Sequence, residues 1–203
     1  MASLEYCHST NWYLPKKVSS SIGVNLSYNC AFCVSGGEKP VRTLSMEAIR
    51  QRLEIIHQHG IKNVRVLDRT FNFNPRRAKE LLQLFQEFHP HIRFHLEIHP
   101  ALLSEDLKTE LQQLPEGLLH LEAGIQSLRE TVLEKCKRLG KLEQALEGLQ
   151  FLCSLDNMET HADLIAGLPL YRLNEVFEDI RILAEFQAGE IQLESLKLLP
   201  GTD

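Results

Sequence analysis

Leu119-His120-Leu121-Glu122-Ala123-Gly124-Ile125-Gln126 alternates without a break. In an extended chain Leu119, Leu121, Ala123 and Ile125 point one way, and His120, Glu122, Gly124 and Gln126 point the other. The division recurs along the sequence. Phe94, Leu96 and Ile98 oppose His95, Glu97 and His99; Ala162, Leu164 and Ala166 oppose His161, Asp163 and Ile165; Ile191 and Leu193 oppose Gln192 and Glu194. One face is apolar, and the other carries ionisable groups strand after strand.

Working outward, short runs rich in Val, Ile, Leu or Phe predict strands at 20–26, 61–67, 92–98, 118–125, 159–166 and 190–198. Helical segments separate them. Ser45 caps one from Met46 to about His59, which Gly60 stops. Pro75 opens the next, which ends near Phe88. Ser104 caps a third, with Glu105 and Asp106 in its first turn. Two follow at 128–136 and 141–154, and Asn174 begins the last, closed by Gly189. Strands alternating with helices give right-handed crossovers and a parallel α/β sheet.

A parallel sheet sandwiched by helices is apolar on both faces. Here the helices cover only the apolar face, so the polar face lines an interior. Burying so many ionisable groups in a dry core costs several kcal/mol each unless they are paired. The expected architecture is therefore a partial (β/α)6 TIM-like barrel with a wet lumen, and not a barrel packed with branched aliphatics. The helices between strands speak against an exposed antiparallel face. Residues 1–17 read as a leader or linker and 18–203 as the barrel. The chain stops at Pro200-Gly201-Thr202-Asp203 just past a strand, as a C-terminally truncated barrel would.

The 203 residues suit one domain, and 43% hydrophobic content supports a core. A net charge of −5 offers nucleic acid no basic field. No stretch is long and apolar enough for a bilayer, and no signal peptide opens the chain. The five cysteines are odd in number and scattered, which fits a reducing cytoplasm. Cys136 and Cys153 read as small buried hydrophobes in helices. Cys7 lies in the leader.

Cys30-Ala31-Phe32-Cys33 follows the apolar run Ile22–Leu26. Thiolates in tight spacing bind iron–sulfur clusters, although zinc ribbons and redox pairs also use Cys-x2-Cys. Zinc would need a second pair, and none is present. A thioredoxin-like pair opens a helix, whereas Ser35-Gly36-Gly37-Glu38-Lys39-Pro40 follows this one. Three further segments end strands: Leu67-Asp68-Arg69-Thr70-Phe71-Asn72, Glu122-Ala123-Gly124-Ile125-Gln126-Ser127 and Asp163-Leu164-Ile165-Ala166-Gly167-Leu168-Pro169. By their order and spacing, the span from about Ser20 to Asp203 resembles the core of radical S-adenosylmethionine (radical SAM) proteins. The likeness is greatest to the group usually preceded by a cobalamin-binding domain.

The resemblance implies a set of roles. Cys30 and Cys33 would be thiolate ligands of a 4Fe-4S cluster, and Phe32 would lie beside the adenine of S-adenosylmethionine. Asp68, Arg69 and Thr70 would stand near the methionine amino group. Glu97 and Glu122 would suit ribose hydroxyls or that amino group. Gln126 and Ser127 would stand near the ribose and carboxylate, and Arg138 would reach the carboxylate. Gly167 and Pro169 would let backbone approach the adenine. The Gly36-Gly37-Glu38 triplet mimics a family motif but comes a strand too early. The implied activity is oxidoreductase-type cleavage of S-adenosylmethionine to a 5′-deoxyadenosyl radical acting on a small-molecule substrate, with a flavodoxin- or ferredoxin-type reductant. Cobalamin would belong to a fuller-length protein.

The family's first cluster cysteine is missing, and Leu26 stands in its place. Cys7 supplying a third ligand, a barrel that has lost the chemistry, and a weak or altered cluster remain open alternatives. Three functions follow: a radical SAM enzyme, a barrel that binds S-adenosylmethionine or another small ligand without radical chemistry, and a zinc hydrolase-like barrel. The third would use the inward histidines and glutamates. His95, His99, His120 and His161 on the polar wall make a second candidate ligand site, although interior histidines are more often simply hydrogen-bonded.

Overall fold

The structure is a computed structural model that describes residues 12–13, 30–33, 43–68, 70–138 and 140–197. Six strands lie in sequence order: β1 (Trp12–Tyr13), β2 (Asn63–Arg65), β3 (Arg93–Ile98), β4 (Leu119–Gln126), β5 (Glu159–Ala166) and β6 (Glu190–Ser195). Every neighbouring pair is parallel. Sequential parallel order with a helix in each later crossover curls the sheet into a partial barrel. The strand expected at 20–26 lies outside the described residues. Trp12 and Tyr13, within the stretch read as a leader, pair with Val64 and Arg65.

The helices are α1 (Met46–Gln58), α2 (Pro75–Gln86), α3 (Glu105–Gln113), α4 (Glu130–Lys135), α5 (Leu142–Cys153) and α6 (Leu173–Glu185). Their starts follow from local chemistry. The Ser45 hydroxyl accepts the Ala48 N–H at 3.2 Å, Asn74 accepts that of Arg77 at 3.1 Å, and Ser104 accepts that of Leu107 at 3.3 Å. The last helix begins at Leu173, one residue before the expected Asn174, because the Glu175 carboxylate accepts the Arg172 N–H at 2.8 Å. Among the described residues, no helix is long and apolar enough to cross a membrane.

The apolar strand faces build the core. Phe94, Leu96, Leu119, Leu121, Ala162 and Leu164 are buried against Leu53, Leu82, Leu111, Leu149 and Leu183 from the helices. Phe85 and Phe94 stack with centroids 4.0 Å apart. A smaller cluster of Val132, Cys136, Leu168, Tyr171 and Val176 forms beyond the C-terminal ends of β4 and β5. Asn72 is fully buried and clamps the end of β3: its amide donates to the His99 carbonyl at 2.9 Å and accepts the His99 N–H at 2.9 Å.

Helix α5 approaches the turn Pro100–Leu102 so closely that only glycine fits at 148. A Cβ there would lie 2.1 Å from the Pro100 carbonyl oxygen, a backbone atom with little freedom to yield. Gly148→Ala is expected to destabilise the fold by about 1–3 kcal/mol through overpacking. Urea unfolding followed by circular dichroism checks this; an unchanged midpoint would contradict the packing described.

Candidate functional site at the strand ends

Register assembles the polar face. Glu97 is level with Glu122, Glu122 with His161, and Gly124 with Asp163. The β4–β5 register then shifts between Gly124 and Gln126. Gln126 sits at φ 74°, a left-handed conformation that costs a non-glycine residue energy and is common at functional strand ends. Thr70, Glu97, His99, Glu122, Gly124, Gln126, Arg138 and Asp163 line an open cleft at this end of the sheet. Among the described residues, Gln126 Oε1 is buried with no hydrogen-bond partner. A Cβ at Gly124 would meet Gln126 Nε2 at 2.6 Å, so the bare backbone there gives that amide its place.

Charge pairing runs across four strands. Glu122 Oε2 accepts from Arg65 Nη2 of β2 at 2.5 Å, lies 2.7 Å from His95 Nε2 of β3, and stands 3.8 Å from His161 Nε2 of β5. Burial favours the neutral acid, yet His95 and Arg65 hold the Glu122 carboxyl down to about 2. Burial, together with the Glu122 charge, pushes the neighbouring Asp163 carboxyl up. Burial works against a charge on His161, but Asp163 and Glu122 raise its pKa overall. Burial, with His95 and His161 alongside, lowers His120 to about 4. His120 Nε2 and His161 Nδ1 share a 2.7 Å hydrogen bond, and the His95 and His120 rings stack at 4.7 Å.

The cysteine loop adjoins this cleft. Cys30 is buried and Cys33 half-buried, and the Cys33 N–H donates to the Cys30 carbonyl at 2.9 Å. Both are free thiols. The Ala31 N–H donates to the Cys136 carbonyl at 2.9 Å, which ties the loop to the end of α4. Burial pushes the Cys30 thiol up, while the positive charge of Arg138 opposes that shift. Arg138 also donates to the Gly124 carbonyl at the cleft, so one guanidinium joins the thiols to the strand ends. Phe32 packs on the small cluster that contains Leu168, which brings the Gly167–Pro169 turn to the same loop.

A sequence profile of the Radical SAM superfamily matches residues 22–183. The chain belongs to the radical SAM superfamily. Solved structures share its fold. TsrM from Kitasatospora setae, a radical S-adenosylmethionine methyltransferase with cobalamin and a 4Fe-4S cluster bound, superimposes with a TM-score of 0.74 at 20% identity, over 87% of this chain and 36% of that one. SuiB from Streptococcus suis, bound to S-adenosylmethionine, gives 0.72 at 11% identity, over 95% of this chain and 41% of that one. Coproporphyrinogen III oxidase HemN from Escherichia coli gives 0.59 at 17% identity, over 84% of this chain and 42% of that one. The chain thus spans well under two thirds of each. No curated protein sequence matches it.

Within this radical SAM fold the residues singled out from the sequence divide into groups. Thr70, Glu97, Glu122, Gln126 and Arg138 meet at the cleft. Asp68 is buried just beyond β2, and Cys30, Phe32 and Cys33 form the adjoining loop. Gly167 has φ 90° and is exposed, as is Pro169. Ser127 does not line the cleft. It is fully buried, with its hydroxyl 3.4 Å from Asp179 and accepting the Arg129 N–H at 3.1 Å. Arg69, Leu26, Cys7 and Gly36-Gly37-Glu38 lie outside the described residues. Asp163 joins the site although it was assigned no role there, and His99, named among the polar-wall histidines, lines it too. Asp163's place on the alternating polar face was the available signal.

The histidines titrate in opposite senses. His120, held at about 4 against an ordinary 6.5, removes stability as pH falls through that window. His161, raised above 6.5, adds stability below 6.5 that is lost as pH rises through its folded value. In NMR titrations the His120 ring is expected to stay neutral from pH 7 down to about 5, while His161 titrates above 6.5. An ordinary pKa for both would contradict the network.

Proposed function

We propose that the cleft binds S-adenosylmethionine and that Cys30 and Cys33 hold an iron–sulfur cluster beside it. The supporting observation is Arg138, placed between a thiol pair and a carboxylate-rich strand-end cleft. S-adenosylmethionine carries a sulfonium and an ammonium charge against one carboxylate. Glu97, Glu122 and Asp163 suit the two cationic groups, and Arg138 suits the carboxylate. The unpaired Gln126 Oε1 is ready to accept from a ribose hydroxyl. Phe32 offers a ring face to adenine, and the Gly167–Pro169 backbone an edge.

The donor set suits a cluster in kind, since thiolates are the usual ligands. It is short in number, because Leu26 cannot bind iron. When bound, a 4Fe-4S cluster supplies an electron and an open iron for reductive cleavage of S-adenosylmethionine. The protein's own residues bind, orient and shield that cofactor. In this reading a small-molecule substrate and a flavodoxin- or ferredoxin-type reductant complete the reaction. The likeness to TsrM extends it to a longer protein with a cobalamin domain. Leu26 favours a second reading, in which the barrel binds S-adenosylmethionine without cleaving it.

Two measurements separate these readings. Calorimetry on cluster-free protein is expected to show S-adenosylmethionine binding, weakened about tenfold or more in Arg138→Ala through loss of a charged hydrogen bond. Absence of heat in the parent would contradict both readings. After anaerobic reconstitution, Leu26→Cys is expected to hold more iron and sulfide than the parent and to release more 5′-deoxyadenosine on reduction. Parent and variant both free of iron would remove the radical enzyme and leave the binding module.

A further inference from the structure

Where it meets the cleft, the polar face brings metal-binding atoms together. One ligand atom from each of His95, Glu122 and His161 lies within 4.8 Å of the other two. Asp163 Oδ1 is 3.4 Å from His161 Nε2. A tetrahedral zinc ion with bonds of about 2.0–2.1 Å spaces its ligand atoms roughly 3.3 Å apart. His95 Nε2 and His161 Nε2 stand 2.7 and 3.8 Å from Glu122 Oε2, on either side of that spacing.

Two of these atoms are also left wanting. His161 is 5% exposed and Asp163 9% exposed. His161 Nε2 and Asp163 Oδ1 are buried with no well-formed hydrogen bond, each facing the other at 3.4 Å. Buried polar atoms are almost always satisfied, so an unsatisfied pair aimed at one point marks room for a third participant. The other nitrogen of His161 is already engaged, 2.7 Å from His120 Nε2. That outer contact fixes the ring, as it does for histidines in metal sites.

We propose that His95, Glu122 and His161, with Asp163 alongside, bind one divalent first-row transition-metal ion of the zinc class on the polar face where it meets the cleft. Two imidazoles exclude the hard ions calcium and magnesium as preferred occupants, and the absence of sulfur separates the site from the cysteine loop. Arg65, 2.5 Å from Glu122 Oε2, supplies the positive charge when the metal is absent and competes with it. Glu122 and Asp163 also line the cleft, so the metal would share them with the S-adenosylmethionine of the proposed function, and the test uses protein free of both that cofactor and a cluster.

Cobalt(II) titration of the cluster-free full chain, followed by visible absorption, tests this. The expected result is one equivalent of cobalt with bands of nitrogen and oxygen ligation, displaced by zinc. His161→Gln and Asp163→Asn are each expected to weaken binding about tenfold or more, and Arg65→Gln to strengthen it. Circular dichroism checks that each variant is folded; if His161→Gln is not, the other two decide. No binding, only the intense sulfur-to-cobalt absorption of ions held by Cys30 and Cys33, or affinity indifferent to these substitutions would overturn the proposal.

Discussion

The carboxylate of Glu122 is the point on which the polar face turns. It sits on a central strand, half-buried, and takes Arg65 at 2.5 Å and His95 at 2.7 Å from the two strands before it, with His161 at 3.8 Å on the strand after. Four consecutive strands are thus tied through one acid. Such pairs need not add net stability, since the charges must first leave water. Removing one member, however, leaves an uncompensated buried charge, and that penalty locks the register of a sheet whose other face is plain hydrocarbon. A slip of one residue would turn His95, Glu122 and His161 into the helices and Leu96 and Leu121 into the cleft.

This arrangement explains why the functional groups lie where they do. The apolar face is consumed by helix packing, so specificity has only the inner face and the strand-end loops to work with. Arg138 carries that inner face outward to the thiols. Asp179 does comparable work from outside the cleft. It is fully buried, accepts the Leu128 N–H at 2.7 Å and the Tyr171 hydroxyl at 2.5 Å, and lies 2.7 Å from Arg129. It thereby fastens α6 to the loop after β4. Ser127 belongs to this anchoring group, and its hydroxyl is spent on it.

Much of this was legible from residue order. The strand expected at 159–166 has those bounds, and the strand predicted at 118–125 is displaced by one residue. The inward polar face and the caps at Ser45 and Ser104 followed from alternation and side-chain chemistry, which are local. Other features were not local. Asn72 clamping His99 and Asp179 gathering Leu128, Tyr171 and Arg129 join residues 8 to 51 positions apart, with no periodic signature. Ser127, which the family resemblance puts with Gln126 near the ribose and carboxylate, does not line the cleft, and its hydroxyl lies 3.4 Å from Asp179 of α6.

The central claim is that the strand-end cleft beside the thiols receives the nucleotide cofactor. Hydrogen–deuterium exchange with and without S-adenosylmethionine tests it most directly, because it reports location without needing turnover. Slower exchange confined to the ends of β3, β4 and β5 and to the loop around Cys30 and Cys33 is the predicted pattern. Unchanged exchange there, or protection only at the helical surface, would contradict the account.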